Sequence, residues 1–493
     1  MGIIDELVRW IENPSKKHGV CFVHGGAGVG KSALAQTICE IARRKSQLAA
    51  SFFFWRNDNS DRSSLDPFFA TIAHQLATLA ELEAAGLSRL IKSAVERKPN
   101  GFVQMTFEEQ LQEFIRGPCG QIDPEKWKTL PKLVVIDGFD ECMGGLGTKN
   151  AFEAQETLLT IINNATSCDS PIPLQFMIFS RPEPTIFDFF QSTLPHYPVD
   201  MRKFNSEANR DIRKYIRKQF DRLSKSRPEV GIWPGEEVLE KLVDKADGHF
   251  IYVVTAMKYI TNNNPSLSEL QERLDTVLHT ERTTSHPDLS DLDQLYHTIL
   301  QRFAKDQLRL RLVLQLILTP HPSAIQHINP SYESLEPLIA RSQHVVAMLL
   351  KIELHQCSAL LSQLRSVLHV PEDPHKQDVT ILHASFSDFL REKRRSLEFH
   401  VRPLHLISYL DLFSCLLLSI LRRNIERHQR REQMGPLTFG NRGLEVWSLK
   451  PWSIVEIVLN AGEWMKDHRP SDELLSAAVG FDLYGYLNMM LDP

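Results

Sequence analysis

The pattern of apolar and polar positions changes character part-way along the chain. In the first two hundred residues, short apolar runs at 20–24, 48–55, 133–136 and 174–179 alternate with stretches of helical apolar spacing. Unbroken runs of this length suit strands buried on both faces, and the helices between them suit the crossovers of a parallel sheet. Segments 56–64, rich in Asn, Asp and Ser, and 144–150, with three glycines, read as exposed excursions.

Beyond residue 200 the strand signal nearly disappears. Ser206 is a plausible N-cap for a helix carrying Ile212, Tyr215, Ile216 and Phe220, and a second helix runs through Val238, Leu239, Leu242 and Val243 to Gly248. Residues 261–268 read as a loop and 280–290 as a domain boundary, followed by helices at 292–303 and 308–318. A hairpin signal follows, with strands at 367–370 and 379–382 around a turn at 371–377. Helices followed by a hairpin suggest a small winged-helix module. From residue 403 onward the pattern is helical, and no repeat of 20 to 50 residues is present.

Composition narrows the class. The 493 residues are 42% hydrophobic and 24% charged, which is ordinary globular usage and allows two to four domains. With 56 Lys plus Arg against 61 Asp plus Glu, the net charge of -5 gives no whole-chain basic field for nucleic acid. The seven cysteines are scattered without a C-x-x-C pair, so a reducing, cytoplasmic setting is expected. The N-terminus has neither a secretory core nor a myristoylation signal, since Glu6 stands where Ser or Thr is needed. The apolar run 407–421 is short for a membrane span and contains Asp411, so it reads as a buried helix. Basic runs at 391–395 and 422–432 read as a helix end and a solvated helical face.

The chemistry concentrates in three places. Gly25-Gly26-Ala27-Gly28-Val29-Gly30-Lys31-Ser32 satisfies the P-loop pattern, with an apolar strand before it and Ala33-Leu34-Ala35 opening a helix after it. Its glycines let successive N–H groups face one point, where a helix N-terminus adds its positive dipole. Lys31 is placed to reach the β- and γ-phosphates, and the Ser32 hydroxyl to ligate Mg²⁺. About a hundred residues further on, an apolar strand delivers Asp137 at its C-terminal end, a Walker B position that holds Mg²⁺ through water. Asp140 and Glu141 follow on a turn as candidates for orienting or deprotonating the attacking water; the plainer alternative is a solvated acidic loop. A third strand ends at Arg181, suited either to sensing or stabilising transferred phosphate charge or to a surface ion pair. No Asn-Lys-x-Asp stands in the chain to read guanine, which favours adenine.

Taken together, these segments resemble the NACHT family of signal-transducing ATPases, in the style of fungal NOD-like receptors and the nephrocystin-3-like N-terminal type. The resemblance rests on 24–33, on Val135-Ile136-Asp137-Gly138-Phe139-Asp140-Glu141, with its small residue after the Walker B aspartate, and on Phe179-Ser180-Arg181-Pro182. Residues 7–11 look like the helix that precedes such modules, and segments 245–252, 366–370 and 381–390 match fungal members.

The resemblance covers roughly residues 1 to 400. It implies an α/β P-loop NTPase domain with a parallel sheet and helices on both faces, then a helical domain, a winged helix and an all-α tail. The corresponding spans are 1–18 for the lead-in helix, 19–204, 205–282, 283–400 and 401–493. It assigns His383, in a His-Ala-Ser motif, to the β-phosphate of ADP, the alternative being a satisfied histidine between hairpin and helix. It gives Arg181 a sensor role. The adenine-closing Gly-x-Pro of many relatives reads Gly248-His249-Phe250 here, a departure that leaves Phe250 as a candidate ring contact.

The function so implied is an ATP/ADP switch with Mg²⁺ and slow hydrolysis, since Gly138 stands where vigorous P-loop ATPases place a glutamate. Its expected partners are further copies of itself in the ATP state, or a separate effector or sensor protein. The alternatives are a continuously cycling ATPase or phosphotransferase, and a scaffold that has lost binding, against which Gly30, Lys31, Ser32 and Asp137 argue. With 24 residues before the P-loop and no repeats before Pro493, the chain reads as a minimal member, a partner to a sensor, or a truncated product.

Overall fold

A computed structural model of the chain describes residues 2–402 apart from 14–16, 57–60, 146–147, 149, 168–171, 228–233, 280–289, 304–305, 320–341, 351 and 375–376. The chain divides into two compact units, Met1–Met257 and Lys258–Pro493. The sequence readings for 403–493, including the apolar run and the second basic run, lie outside the described residues. So do the 280–289 break, most of the tip of 56–64, part of 144–150 and part of the 371–377 turn.

The first unit is built on five strands: β1 (Val20–His24), β2 (Leu48–Phe53), β3 (Leu133–Asp137), β4 (Gln175–Ser180) and β5 (Tyr197–Asp200). Their order is β2-β3-β4-β1-β5, and every neighbouring pair is parallel. Residues alternate between two apolar layers. Val20 and Phe22 of β1, with Val134 and Ile136 of β3, pack against helices Phe68–Thr78, Ala151–Ser167 and Pro184–Ser192. Cys21, Val23, Leu133 and Val135 point the other way. There they meet α1 (Ile3–Glu12), through Leu7, Trp10 and Ile11, and α2 (Lys31–Arg44), through Leu34, Ala35, Ile38 and Cys39. With both faces covered, the strands need apolar residues at every position, which is why they read as continuous runs.

The four expected strands form within two residues of their expected ends, while β5 was not foreseen. It is a four-residue edge strand with exposed Tyr197 and Pro198, so it carries no apolar run. Ser206 is not an N-cap. The helix Asn205–Ser226 begins one residue before it, because the short turn Met201–Phe204 leads straight into it. Ile212, Ile216 and Phe220 face inward as expected, and so do Leu239, Leu242 and Val243 of helix Glu236–Ala246. The 261–268 loop is shorter than expected, since helices Phe250–Thr261 and Leu267–His279 extend into both of its ends.

In the second unit, Ser290 caps helix Asp291–Gln301 by accepting from the Asp293 N–H, and helix Gln307–Leu318 follows. The hairpin is present as two antiparallel two-residue strands, β6 (Leu368–His369) and β7 (Thr380–Ile381), leading into helix Ala384–Arg391. Among the described residues, no helix is long and apolar enough to cross a membrane.

Candidate functional site

β1 delivers the glycine-rich loop at the C-terminal edge of the sheet, between β4 and β5. The Gly25 N–H donates to the Ser180 carbonyl at 3.3 Å, tying the loop to the end of β4. Gly28 has φ +77°, and a side chain there would run into Ile251. Ile251 also donates its N–H to the Gly28 carbonyl at 3.3 Å, so the start of helix Phe250–Thr261 rests directly on the loop. Val29 packs on Gly25 beside Met201, and Gly30, Lys31, Ser32 and Ala33 form the entry to α2.

Lys31 Nζ donates to the carbonyls of Gly25 and Gly26, each at 2.8 Å. Burial lowers its pKa to about 8, against the opposing pull of Asp140, Asp137 and Glu141. The ammonium is thus parked within the loop's own curl, with three carboxylates close by.

Asp137 ends β3 at 3% exposure. Burial raises its pKa to about 6, opposed mainly by the Ser32 hydroxyl beside it. Its Oδ1 is buried with no hydrogen-bond partner among the described residues. An orphaned carboxylate oxygen next to a serine hydroxyl is a donor set that suits a hard divalent cation or its bound water. Gly138 follows with φ +65°, and a Cβ there would stand 2.7 Å from the Phe54 carbonyl oxygen. The small residue after the aspartate is therefore a steric and conformational requirement of this turn.

Asp140 and Glu141 are not a solvated loop. Asp140 is 5% exposed; its Oδ1 accepts from the Arg181 N–H at 2.9 Å and from the Ser180 hydroxyl at 3.3 Å. Its Oδ2 lies 3.1 Å from Arg181 Nε, so these two expected site residues hold each other. Glu141 accepts the Arg56 N–H at 2.9 Å, and burial raises its pKa. The Arg56 guanidinium donates to the Asp140 carbonyl at 3.1 Å.

Sequence reading passed over Arg56. The available signal was a cation just past the end of β2, on the edge of the sheet that carries the other site residues. Also unforeseen was His249, whose Nε2 stands 3.7 Å from where a Gly26 side chain would begin. Phe250 instead packs edge-on against Tyr215 at 5.4 Å.

His383 lies in the second unit, at the N-cap of helix Ala384–Arg391. Its Nδ1 accepts the Ser385 N–H at 3.1 Å and lies 2.6 Å from the Ser385 hydroxyl, which reaches the Tyr296 hydroxyl at 2.8 Å.

A parallel sheet with a glycine-rich loop after β1, a lysine at the following helix start and an aspartate at the end of β3 defines a P-loop NTPase-like α/β core. Residues 4–181 match the family described as Nephrocystin 3, N-terminal, which bears out the nephrocystin-3-like resemblance over that segment. No curated protein matches the chain. Among solved structures, a chain in the structure of Drosophila ORC bound to DNA is similar at 11% identity and a TM-score of 0.32, covering 81% of this chain and 95% of that one.

Proposed function

We propose that the first unit binds adenine nucleotide with Mg²⁺ and acts as a slowly hydrolysing switch. The observation that carries the reading is the meeting of the Lys31 ammonium, the Ser32 hydroxyl and the orphaned Oδ1 of Asp137 at the mouth of the loop. Lys31 would leave the Gly25 and Gly26 carbonyls for the phosphates, and the N–H groups of the loop would cradle them. Ser32 and Asp137 would hold Mg²⁺, which neutralises charge on the β- and γ-phosphates. Arg181, whose side chain is paired with Asp140, would respond to the γ-phosphate. Glu141 is left as the carboxylate that orients water. Slow turnover follows from Gly138, where the backbone leaves no room for a glutamate.

A ligand shifts an arrangement only by binding its two states differently. The γ-phosphate supplies that difference by competing for Arg181. Within this reading 205–282 serve as a helical arm, 283–400 as a winged helix and 401–493 as a helical tail, with His383 as the ADP contact of the closed state. The expected partners are further copies of the chain, or a separate sensor or effector in the cytoplasm.

The test is nucleotide binding by purified wild type and Lys31→Ala. Wild type should bind ADP and ATP, and Lys31→Ala should lose at least tenfold in affinity; equal affinities would place the site elsewhere. Turnover of several per second without a partner would favour a cycling ATPase over a switch.

A further inference from the structure

The exit of β2 is tied to the exit of β3, its parallel neighbour, through a series of contacts. The Phe54 N–H donates to the Asp137 carbonyl at 2.9 Å, continuing the ladder one step past the strand. The Phe54 carbonyl oxygen stands 2.7 Å from where a Gly138 side chain would begin, and the Phe54 ring meets Phe139 edge-on at 6.3 Å. Trp55 is fixed in turn, its N–H donating to the Arg62 carbonyl at 3.1 Å and its ring lying under the Arg62 guanidinium at 4.9 Å. Arg56, next in line, takes hold of both acidic residues of the turn.

We propose that Arg56 is a positioning residue for nucleotide hydrolysis, its main-chain N–H fixing the Glu141 carboxylate and its guanidinium fixing the Asp140 carbonyl so that the turn faces the phosphate site. The inference rests on the function proposed above. The turn Phe139–Glu141 is only three residues long and follows a left-handed glycine, so little within it resists rotation. The Gln155 side chain adds a donor to the Asp140 carbonyl at 3.4 Å and to the Cys142 carbonyl at 3.0 Å, which anchors the far side. Arg181 anchors the Asp140 side chain. The near side, toward Glu141, is held by Arg56.

Among the described residues, the charged groups around Glu141 are Arg56 and Asp140, with Arg181 and Lys31 beyond them. Burial pushes the Glu141 carboxyl upward, and the Arg56 charge opposes it. A carboxylate that orients water must be ionised, so losing the guanidinium loosens the turn and also displaces the pH at which Glu141 becomes active. A purely structural role for Arg56 predicts lower stability with no displacement.

The experiment compares full-length wild type, Arg56→Met and Arg56→Lys for ADP affinity, and for ATP hydrolysis from pH 5 to 9. Arg56→Met should bind ADP within about twofold of wild type and hydrolyse ATP about 10- to 100-fold more slowly, the scale of a misplaced catalytic group. The acidic limb of its rate profile should move to higher pH, and Arg56→Lys should return the limb toward wild type. An unchanged rate, a slowed rate with an unmoved limb, or a lysine variant that does not restore the limb overturns the inference. If Arg56→Met does not fold, Arg56→Gln, which keeps a donor but not the charge, carries the same comparison. Wild type that binds no nucleotide overturns the proposed function and this inference together. Wild type that binds but never hydrolyses overturns this inference and the slow hydrolysis, and leaves nucleotide binding standing.

Discussion

Arg181 reaches the Asp140 carboxylate twice, through Nε at 3.1 Å and through its own main-chain N–H at 2.9 Å. The first contact is made by the side chain. The second belongs to the backbone of the β4 exit and stays. Asp140 is therefore held in place whichever way the guanidinium points, and a γ-phosphate competing for Arg181 need not release the turn.

This pair is nearly dry, with side-chain exposures of 15% for Arg181 and 2% for Asp140. Asp140→Ala should thus cost about 3 kcal/mol or more in urea unfolding, because it removes one partner of a buried ion pair. Asp140→Ala combined with Arg181→Met should cost less than the single change. Equal losses in the two proteins would mean that the ion pair is not the source of the penalty.

Lys31 predicts a proton linkage. Its pKa is lowered to about 8 in the nucleotide-free protein, and phosphate at Nζ would raise it. Above pH 8 the bound state then holds more protons than the free one, so binding takes up protons and affinity falls as pH rises. The fall should approach tenfold per pH unit between the two pKa values. Titration calorimetry at pH 7.5 and 9 in buffers of different ionisation enthalpy reads the uptake directly, and buffer-independent heats at pH 9 would contradict it.

Asp137 predicts the complementary effect for the metal. With its pKa raised to about 6, a bound cation must displace a proton at lower pH, so Mg²⁺ dependence should weaken as pH falls below 6 and level off above it. Mg²⁺ titrations of nucleotide binding at pH 5.3 and 7.3 check the direction. Asp137→Asn should remove that difference.

Gly138 should resist replacement. Gly138→Ala forces a side chain into φ +65° and within 2.7 Å of the Phe54 carbonyl, at an expected cost of about 2 kcal/mol. Gly138→Glu should for the same reason destabilise the unit rather than create a fast ATPase. A stable, rapidly hydrolysing Gly138→Glu protein would overturn this account of slow turnover.

Gly28→Ala should abolish nucleotide binding, because the added methyl group meets Ile251. Ile251→Ala in the same chain should recover part of the affinity. Recovery should be incomplete, since φ +77° remains unfavourable for alanine. No recovery would show that backbone strain, and not the Ile251 contact, limits the site.

Much of this site was legible from order along the chain. The P-loop, the Walker B aspartate and the strands that deliver them each depend on a few consecutive residues. Apolar runs buried on both faces announced four strands, whereas β5, an edge strand with Pro198, offered no such run. Ser206 misled because an N-cap preference is a local tendency, and the preceding turn had already set the backbone to helix. Arg181 and Asp140 were each singled out, but as independent actors on a phosphate.

What local order established, then, was a parallel α/β unit with a phosphate loop, a lysine, a serine and an aspartate at its open edge. The pairings depended on folding. Arg56 lies 85 residues from Glu141, Arg181 41 residues from Asp140, and Ile251 far along the chain from Gly28. The first two pairs meet because the strand order β2-β3-β4-β1-β5 puts β3 between β2 and β4 and brings their exits to one edge. Spacing along a chain carries local conformational preference, but it does not carry lateral strand order, and the neighbours of each charge follow from that order.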